Sequence, residues 1–386
     1  MASLVYFWDF STAGAARAML GRLLEASGAS RLSGLKVAVK VHMGEEGNFT
    51  HLRPSLVREV VDWLKERGAQ PFVTDTTTLY RYSRFTAEGY LKTAARHGFL
   101  PQALGAEVVI ADGDGFDAVE VPVPRRVPGC ELTSLKMARA IAESEALVVL
   151  THVKGHPYTG LGGCIKNLGM GCMAKEGKGA QHRPGRAELF ADKCAGCGEC
   201  EKACPYGAMR VVEGRAVRDE ARCLSCNHCA WRCKSGALVE PPESWRPFQV
   251  LLAHAAAAAA SRFSPDRMVC LNFIQDVTGR CDCMSRFQVP LLGDVGVVAS
   301  PDPVAVDAAS LALVDRAAPV ISASVAGAGA GGEATAAAAE AQRWARAVAG
   351  PDRLGLLHGV SSLVQLEAAE ELGLGSRRYQ LERLGA

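Results

Sequence analysis

The sequence predicts an α/β protein: a mostly parallel sheet with helices on both faces, interrupted by a small, cysteine-rich α+β module. Two observations support this prediction. Up to residue 152, short β-branched runs alternate with amphipathic helical patterns, which is the rhythm of a parallel sheet. Between residues 185 and 242 this rhythm stops and eight cysteines appear. We therefore expect a host domain at 1–184 and 243–386, with an inserted module at 185–242.

The elements of the first host segment follow from composition and spacing. Residues 35–41 and 71–74 are short runs rich in β-branched residues, as strands are. Between them Pro54 opens a helix with apolar residues at helical spacing, and Gly68 closes it. The alternation continues with a helix at 86–97, a strand at 107–110, a helix at 134–143 and a strand at 146–151.

Polar residues stand where three of these strands end. His42, Asp75 and His152 each lie just past a predicted strand. Functional residues of parallel sheets gather at the carboxyl ends of the strands, so these three are candidates for a site in the host domain. After the module, Pro241 and Pro242 mark its exit, and α/β character resumes.

The module contains two copies of one cysteine pattern, C-x2-C-x2-C-x3-C. This is the pattern of bacterial ferredoxins, in which three closely spaced thiolates bind one 4Fe–4S cluster and the fourth crosses to the other cluster. The crossover assigns Cys194, Cys197, Cys200 and Cys233 to the first cluster, and Cys223, Cys226, Cys229 and Cys204 to the second.

Zinc is the alternative occupant, because C-x2-C pairs also bind zinc. A structural zinc site needs four ligands and no third cysteine at the same short interval. The pattern therefore predicts two 4Fe–4S clusters and a two-cluster, ferredoxin-like module.

Composition and charge exclude several classes of protein. The net charge of +2 gives no reason to expect binding to nucleic acid or to an acidic membrane surface. No run approaches the roughly 20 apolar residues of a membrane span. The N-terminus lacks a basic region and Asp9 interrupts its apolar run, so it does not resemble a signal peptide. Cysteines used as metal ligands, without an export signal, predict a cytoplasmic location.

The segment from Thr151 to Gly169 is the most informative one outside the module. It follows a predicted strand, is rich in glycine and carries Lys154, Lys166 and Asn167. We expect these three to bind an anionic small molecule, with lysines supplying charge and backbone N–H groups supplying geometry. The alternative is a solvated loop packed against the module. The segment contains no phosphate-binding loop and only a poor match to a dinucleotide fingerprint, so it predicts no nucleotide.

A second cysteine-bearing segment, Cys281-Asp-Cys283, has two thiols one residue apart. Such thiols can chelate a metal together, react as thiolates, or simply be buried and inert. If they react with a substrate, we expect Lys166 and Cys283 to be catalytic. If they meet other ligands in space, they would form a third metal site of unknown identity. That site would comprise His152, His156, Cys164, Cys281 and Cys283.

Several motifs together resemble one family. They are Lys40-Val-His42 with Gly47-Asn48, Val73-Thr-Asp75-Thr-Thr, Lys154-Gly-His156 with Gly162-Gly-Cys-Ile-Lys166-Asn-Leu-Gly169, Cys281-Asp-Cys283 and the run from Asp294 to Asp307. As a set, over most of residues 35–320, they resemble the family catalogued as domain of unknown function 362. Many of its members carry a 4Fe–4S ferredoxin insert at this point, so the resemblance implies a host domain with two clusters and names no substrate. Lys234 stands where a proline often follows the second run, but that proline shapes a turn and is not a ligand.

Two functions remain open. In the first, the chain is an iron–sulfur oxidoreductase, and electrons from a redox protein pass through the two clusters to a substrate or metal site in the host domain. In the second, it is an electron carrier or redox-maturation partner that docks to another redox protein and turns over no substrate of its own. A purely structural role for the clusters is the third alternative.

Overall fold

A computed structural model describes residues 2–12, 14–128, 130–320 and 336–385, with side chains omitted at 336–341. The described strands are β1 Ser3–Asp9, β2 Lys36–Val41, β3 Gln70–Asp75, β4 Val108–Ile110, β5 Ala118–Pro122, β6 Ser134–Ala138, β7 Ala146–His152, β8 Lys154–His156, β9 Gly160–Gly162, β10 Glu188–Leu189, β11 Met209–Val212, β12 Arg215–Arg218, β13 Leu238–Val239, β14 Met268–Ile274, β15 Gly296–Ser300 and β16 Tyr379–Arg383.

The described helices surround these strands. They are α1 Ala16–Ala26, α2 Pro54–Glu66, α3 Ala87–Arg96, α4 Pro101–Leu104, α5 Arg139–Ala142, α6 Cys164–Gly169, α7 Lys175–His182, α8 Glu199–Ala203, α9 His228–Trp231, α10 Trp245–Ala260, α11 Pro303–Arg316, α12 Ala336–Ala347, α13 Arg353–His358 and α14 Leu363–Glu371. Among the described residues, no helix is long and apolar enough to cross a membrane.

Eight of the described strands form one sheet in the order β16-β1-β15-β14-β7-β2-β3-β4. Strands β14, β7, β2, β3 and β4 pair in parallel, and among the described strands of this sheet β15 alone runs against its neighbours. From β2 the chain builds outward to β3 and β4, then crosses back to β7 on the other side of β2. The topological switch point therefore lies between β2 and β7, where α/β sheets characteristically bind ligands.

Two apolar cores cover the two faces of the sheet. On β2, Val37, Val39 and Val41 face one core, which α1, α2 and α3 complete, while Ala38 faces the other, which α6, α10 and α11 complete. Successive side chains of a strand point to opposite faces, so a strand buried on both sides is apolar throughout. The buried polar exception in β2 is Lys40, which is 0% exposed, whereas Lys36 at the start of the strand is exposed. The predicted α/β class, with a mostly parallel sheet and helices on both faces, is confirmed.

The helix predicted at residues 134–143 is wrong in its first half. Residues Ser134–Ala138 form β6, which pairs antiparallel with β5, and a helix follows only at Arg139–Ala142. The reason is local: Ser134-Leu-Lys-Met alternates half-buried and buried positions, the period of a strand. Tertiary pairing with β5 stabilises this conformation over the helix.

Residues 185–242 form two similar halves, and every described strand of the large sheet lies outside them. In each half a short strand leads into a cysteine loop, a short helix (α8 or α9) and a second strand. The pairs β10 with β13 and β11 with β12 are antiparallel, so the first and last strands of this segment lie side by side. Glu188 is paired with Val239, which brings the two ends of the segment together.

Candidate functional site

A cavity of about 550 Å³ lies at the carboxyl ends of β2 and β3, beside the switch point. This volume is within the range of small-molecule sites, roughly 300–1,000 Å³. Its polar wall is cationic, and its other walls are mostly aromatic. The basic side chains that line it include Lys40, Arg84, Lys154, Lys166 and Lys178, and the aromatic ones Tyr80, Tyr82, Tyr158, Trp231 and Phe248.

Lys40 is held in place by two buried partners. Its Nζ lies 2.8 Å from Asp75 Oδ1 and donates to Asn167 Oδ1 at 2.6 Å. The hydroxyl of Tyr90 also donates to Asp75. Burial by itself raises the pKa of Asp75, but Lys40 and these hydrogen bonds outweigh it and bring the pKa below its usual value. Asp75 is therefore a carboxylate at neutral pH and balances one of the cavity's cations.

The cavity's histidines are uncharged at neutral pH. Burial first, then the positive charges of Arg84 and the neighbouring lysines, lower the pKa of His42 well below its usual value. Burial and Lys166 do the same for His156, and burial with Lys166 and Lys178 lowers the pKa of His182 to about 4. The positive charge offered to a ligand thus comes from lysine and arginine.

Helix α6 carries two of the predicted binding residues, Lys166 and Asn167, to the cavity. Its first N–H groups, those of Cys164 and Ile165, donate to the two carboxylate oxygens of Asp307 at 2.6 and 2.9 Å. Gly163 precedes the helix because a side chain there would overlap Asp307. Buried Asp307 therefore fixes the start of α6 and the direction in which Lys166 extends.

The three predicted binding residues, Lys154, Lys166 and Asn167, all line the cavity. They differ in how they are held. Asn167 accepts a hydrogen bond from Lys40 and donates to Leu150 O and Thr151 Oγ1, both at 3.0 Å. Its amide therefore links Lys40 to the end of β7. Lys154 Nζ donates to His152 O at 2.7 Å. Lys166 Nζ instead faces a sulfur.

That sulfur belongs to Cys281. Lys166 Nζ lies 3.7 Å from Cys281 Sγ, and Cys281 and Cys283 both line the cavity. A hydrogen bond from Cys283, together with Lys166 and Lys154, lowers the pKa of Cys281 well below its usual value although burial opposes this. The same hydrogen bond and burial raise the pKa of Cys283 well above its usual value. Cys281 is thus the thiolate of the pair and Cys283 the thiol.

Asp282, between the two cysteines, anchors their loop. Its Oδ2 lies 2.8 Å from His152 Nδ1 and 3.4 Å from Lys154 Nζ. Its backbone carbonyl accepts from Glu45 N at 2.9 Å. The carboxylate is fully buried, so burial raises its pKa, but His152 and Lys154 bring it far below the usual value. The two thiols therefore project from a fixed loop.

The five side chains hypothesised as a third metal site do not come together as one ligand set. Both ring nitrogens of His152 are engaged, by Asp282 Oδ2 and by Gln275 O at 2.9 Å. Cys164 is buried and hydrogen-bonded to Cys270. Among the residues that the structure describes, no group of three or more His, Cys, Asp or Glu side chains is placed to hold a single metal ion. His156, Cys281 and Cys283 line the cavity, whereas His152 and Cys164 do not.

The eight cysteines of the module line two small cavities. One is lined by Cys194, Cys197, Cys200 and Cys233, and the other by Cys204, Cys223, Cys226 and Cys229. Each set contains three cysteines of one run and the last cysteine of the other run. This is the grouping that a crossover of the fourth ligand requires.

The two cysteine loops have the same backbone shape. Gly196 and Gly198 have φ of 65° and 75°, and the equivalent Ser225 and Asn227 both have 56°. Residues with positive φ between successive cysteines turn the backbone so that it wraps around the space that the cysteines line. Backbone N–H groups also donate to sulfur, from Ala208 to Cys204 at 3.2 Å and from Ala216 to Cys194 at 3.3 Å. Such hydrogen bonds to sulfur are typical of iron–sulfur sites, so these residues fit two clusters.

The module forms one wall of the large cavity. Cys226 lines both the large cavity and one of the four-cysteine cavities. The Trp231 ring lies 5.4 Å from that of Tyr80, and the hydroxyl of Tyr206 donates to Leu79 O at 2.8 Å. A ligand in the host cavity would therefore lie next to the second cysteine set.

A family model described as "Domain of unknown function (DUF362)" matches residues 37–312, which include the cavity and the module. The chain belongs to the DUF362 family. No curated protein matches this DUF362 chain. Two solved structures are similar to it: a lactate racemase apoprotein from Thermoanaerobacterium thermosaccharolyticum, 14% identical with a TM-score of 0.34, and a Thermotoga maritima protein, 13% identical with a TM-score of 0.32.

The matches to these two structures are partial. They cover 71% and 67% of the DUF362 chain, which spans about half the length of each: 51% and 49%.

Sequence reasoning missed part of this DUF362 site. Lys40 lies among the apolar residues Val37–Val41, and a charged residue in such a position is a signal in itself. Arg84 and Glu45, which pair at 3.0 Å and are both buried, carried no local signal because they lie in irregular segments. Lys178 and His182 stood out only as members of a basic stretch.

Proposed function

We propose that the chain is an iron–sulfur oxidoreductase. In this proposal the module holds two 4Fe–4S clusters, and electrons reach an anionic small molecule bound in the host cavity. One observation carries the proposal: Cys226 belongs to a four-cysteine set and also lines the cationic cavity. An electron source and a ligand site that share a wall favour substrate reduction over transport of electrons alone.

The module would hold its clusters through the two crossover sets, Cys194, Cys197, Cys200 and Cys233, and Cys223, Cys226, Cys229 and Cys204. Bound 4Fe–4S clusters supply one-electron transfer at potentials that hydrogen bonds to sulfur and solvent exposure adjust. The N–H groups of Ala208 and Ala216, which donate to sulfur, would contribute to that adjustment. None of the 14 cysteines, all of them among the described residues, forms a disulfide, and we propose a cytoplasmic location because cysteines serve as metal ligands in a reducing compartment.

The cavity residues divide the work of binding. Lys154 and Lys166 offer charge to an anionic group of the ligand, while the neutral imidazoles add hydrogen-bonding capacity without further charge. The rings of Tyr80, Tyr158 and Phe248 would cover an apolar part of the ligand and keep water away from the cations. The cavity therefore favours a small amphipathic anion over a purely polar one.

A redox partner is part of the proposal. Trp231 and Tyr82 lie beside the second cysteine set with 54% and 52% of their surface exposed. Exposed aromatic residues are enriched in protein interfaces. A protein that donates electrons would dock there. The same surface would serve an electron carrier, which is the alternative function.

Cluster content is tested first. The chain is purified anaerobically, and iron, sulfide and total metal are counted. About eight iron and eight sulfide ions per chain are expected for two 4Fe–4S clusters. Zinc at two ions per chain, without sulfide, would contradict the proposal.

Turnover is tested second. The chemically reduced protein is mixed with small anions, and reoxidation is followed by absorbance. Lys166→Ala should abolish ligand-dependent reoxidation with iron content unchanged. The matched control is Lys92→Ala, an exposed lysine of α3 that lies away from the cavity. Reversible reduction without reoxidation by any anion would favour the carrier.

A further inference from the structure

We infer that Cys281 and Cys283 form a redox dithiol that reduces a small anionic disulfide bound in the cavity. The inference rests on the proposed function, because it uses the same supply of electrons, and it names the class of substrate. It also assigns different roles to the two thiols. Cys281 is the attacking sulfur, and Cys283 resolves the intermediate.

The geometry supports a reactive pair. The two cysteines lie one residue apart, both line the cavity, and Lys166 Nζ lies 3.7 Å from Cys281 Sγ. Their loop is held at two points: Asp282, between the two cysteines, is bound by His152 and Lys154, and Ser285 Oγ donates to Glu46 O at 2.6 Å. A fixed loop holds both sulfurs near one reacting atom, which is the requirement for two successive attacks.

The charges set the roles. Lys166 Nζ, 3.7 Å from Cys281 Sγ, stabilises a thiolate at that sulfur. The thiolate is the nucleophile in thiol–disulfide exchange. The neighbouring Cys281 and burial raise the pKa of Cys283, so Cys283 keeps its proton and is unreactive until Cys281 has been consumed. This order prevents both sulfurs from attacking substrate at once.

The exchange balances as two displacements. The Cys281 thiolate attacks one substrate sulfur, the substrate S–S bond breaks, a mixed disulfide forms and one substrate thiolate leaves with the proton of Cys283. The Cys283 sulfur then attacks Cys281 Sγ, the mixed disulfide breaks, a Cys281–Cys283 disulfide forms and the second substrate thiolate leaves. The substrate gains two electrons, which the cysteine pair loses. A low-potential one-electron donor protein, acting twice, then reduces the Cys281–Cys283 disulfide. One proton from water restores the thiol of Cys283, and a second protonates the second substrate thiolate.

The walls of the cavity select the substrate. Lys154 and Lys178 would attract a carboxylate, while Tyr158 and Phe248, with ring centroids 5.7 Å apart, offer an apolar surface. A disulfide with acidic, aromatic substituents satisfies both. A cationic disulfide would be repelled by the lysines.

The test follows the pair itself, without turnover. The anaerobically purified full chain, with its dithiol reduced, is mixed with one equivalent of 5,5′-dithiobis(2-nitrobenzoate), an anionic aromatic disulfide. The peptide containing residues 281–283 is then analysed by mass spectrometry. The wild type should show a Cys281–Cys283 disulfide, and Cys283→Ser should trap thionitrobenzoate on Cys281. In Cys281→Ser, Cys283 should react at least about tenfold more slowly than Cys281 does in the wild type, because the Cys283 thiol keeps its proton.

Controls and contrary outcomes are defined on the same peptide. Cys130→Ser, outside the cavity, should behave as the wild type, and the cationic disulfide cystamine should react at least about tenfold more slowly. An unmodified Cys281 in the wild type, or equal adducts on both cysteines without a disulfide, would overturn the inference. If Cys281→Ser does not fold, redox titration of the wild-type pair decides instead: one two-electron step supports the inference, and two independent thiols contradict it.

The two proposals fail separately. An inert pair in a protein whose clusters are reoxidised by an anion would remove the dithiol and leave the oxidoreductase. A reactive pair in a chain that binds no iron and sulfide would remove the oxidoreductase, and with it the electron supply on which the dithiol depends.

Discussion

In the host domain two extended apolar cores cover the faces of the sheet, whereas the described residues of the module share one small core. Its buried members are Ala187, Cys200, Met209, Ala216 and Leu238. An apolar core of this size supplies little stability, and small metal-binding modules obtain most of theirs from the metal. We therefore expect the host to fold from its own side chains, and the module to depend on what its two cysteine-lined cavities bind.

The two regions also differ in their charges. The host buries two ion pairs, Lys40 with Asp75 and Arg84 with Glu45. Each of these four side chains is at most 3% exposed. In the module, by contrast, the Lys202–Glu199 pair has side chains 74% and 45% exposed. Buried pairs are costly to desolvate and are strongly destabilising when only one partner is removed. The host therefore carries a preorganised charged site.

The largest expected effect is on the host. Lys40→Met removes the cation from a buried ion pair, leaves Asp75 with Tyr90 as its donor and deprives Asn167 Oδ1 of its donor, so the free energy of unfolding should fall by about 3–5 kcal/mol. Urea denaturation of the full chain measures it. Lys92→Met, in an exposed pair with Glu88, is the control and should leave the midpoint unchanged. Equal effects of the two substitutions would show that burial of Lys40 contributes nothing.

Deletion of residues 185–242 tests the independence of the host. Because β10 and β13 lie side by side, a short flexible linker should join the remaining ends without strain. We expect a folded host, destabilised by about 1–3 kcal/mol because Tyr80 and Leu79 lose Trp231 and Tyr206. Circular dichroism and thermal unfolding measure this. Insoluble product under every condition, anaerobic expression included, would mean that the host requires the module.

Cys204→Ser tests the crossover within the module. Cys204 is the last cysteine of the first run but lines the cavity of Cys223, Cys226 and Cys229. The spectrum of that second cluster should change, with a loss of up to about half the iron, while the cluster of the first run survives. Electron paramagnetic resonance of the reduced protein distinguishes the two. A change confined to the first cluster would show that the grouping is wrong.

The smallest expected effect concerns pH. The pKa of Lys178 is lowered to about 8, mainly by burial. Asp112 and Asp75 raise this pKa, and the positive charges of Lys40 and Arg84 lower it further. Lys178 is charged below that pKa and loses its charge above it, so the affinity for an anion should fall several-fold between pH 7 and 9. Titration with benzoate at each pH measures this. Lys178→Met should flatten the profile, and an unchanged profile in that variant would assign the effect to another group.

Local patterns predicted much of the host. The strands at 36–41, 70–75 and 146–152 and the helix at 54–66 lie within a few residues of their predicted positions, because each is a regular run of buried or alternating residues. β1 and β16 were not predicted. They lie at the edge of the sheet and come from the two ends of the chain, so their pairing depends on contacts between distant residues. Residues 134–143 failed for a related reason, since pairing with β5 decides their conformation.

The candidate site divides in the same way. Residue types and spacing identified the eight cysteines, the two lysines of the 151–169 segment and the Cys281-Asp-Cys283 segment, because these depend on chemistry that is local to the chain. Only the folded chain brings Lys166 to Cys281 across 115 positions, and only it places His152 against Asp282 and Cys164 in an apolar core, outside the lining of the cavity. The physical reason is that strand order sets which loops meet at the edge of the sheet. Burial and neighbouring charge, which follow from that meeting, then decide that Cys281 and not Cys283 is the thiolate.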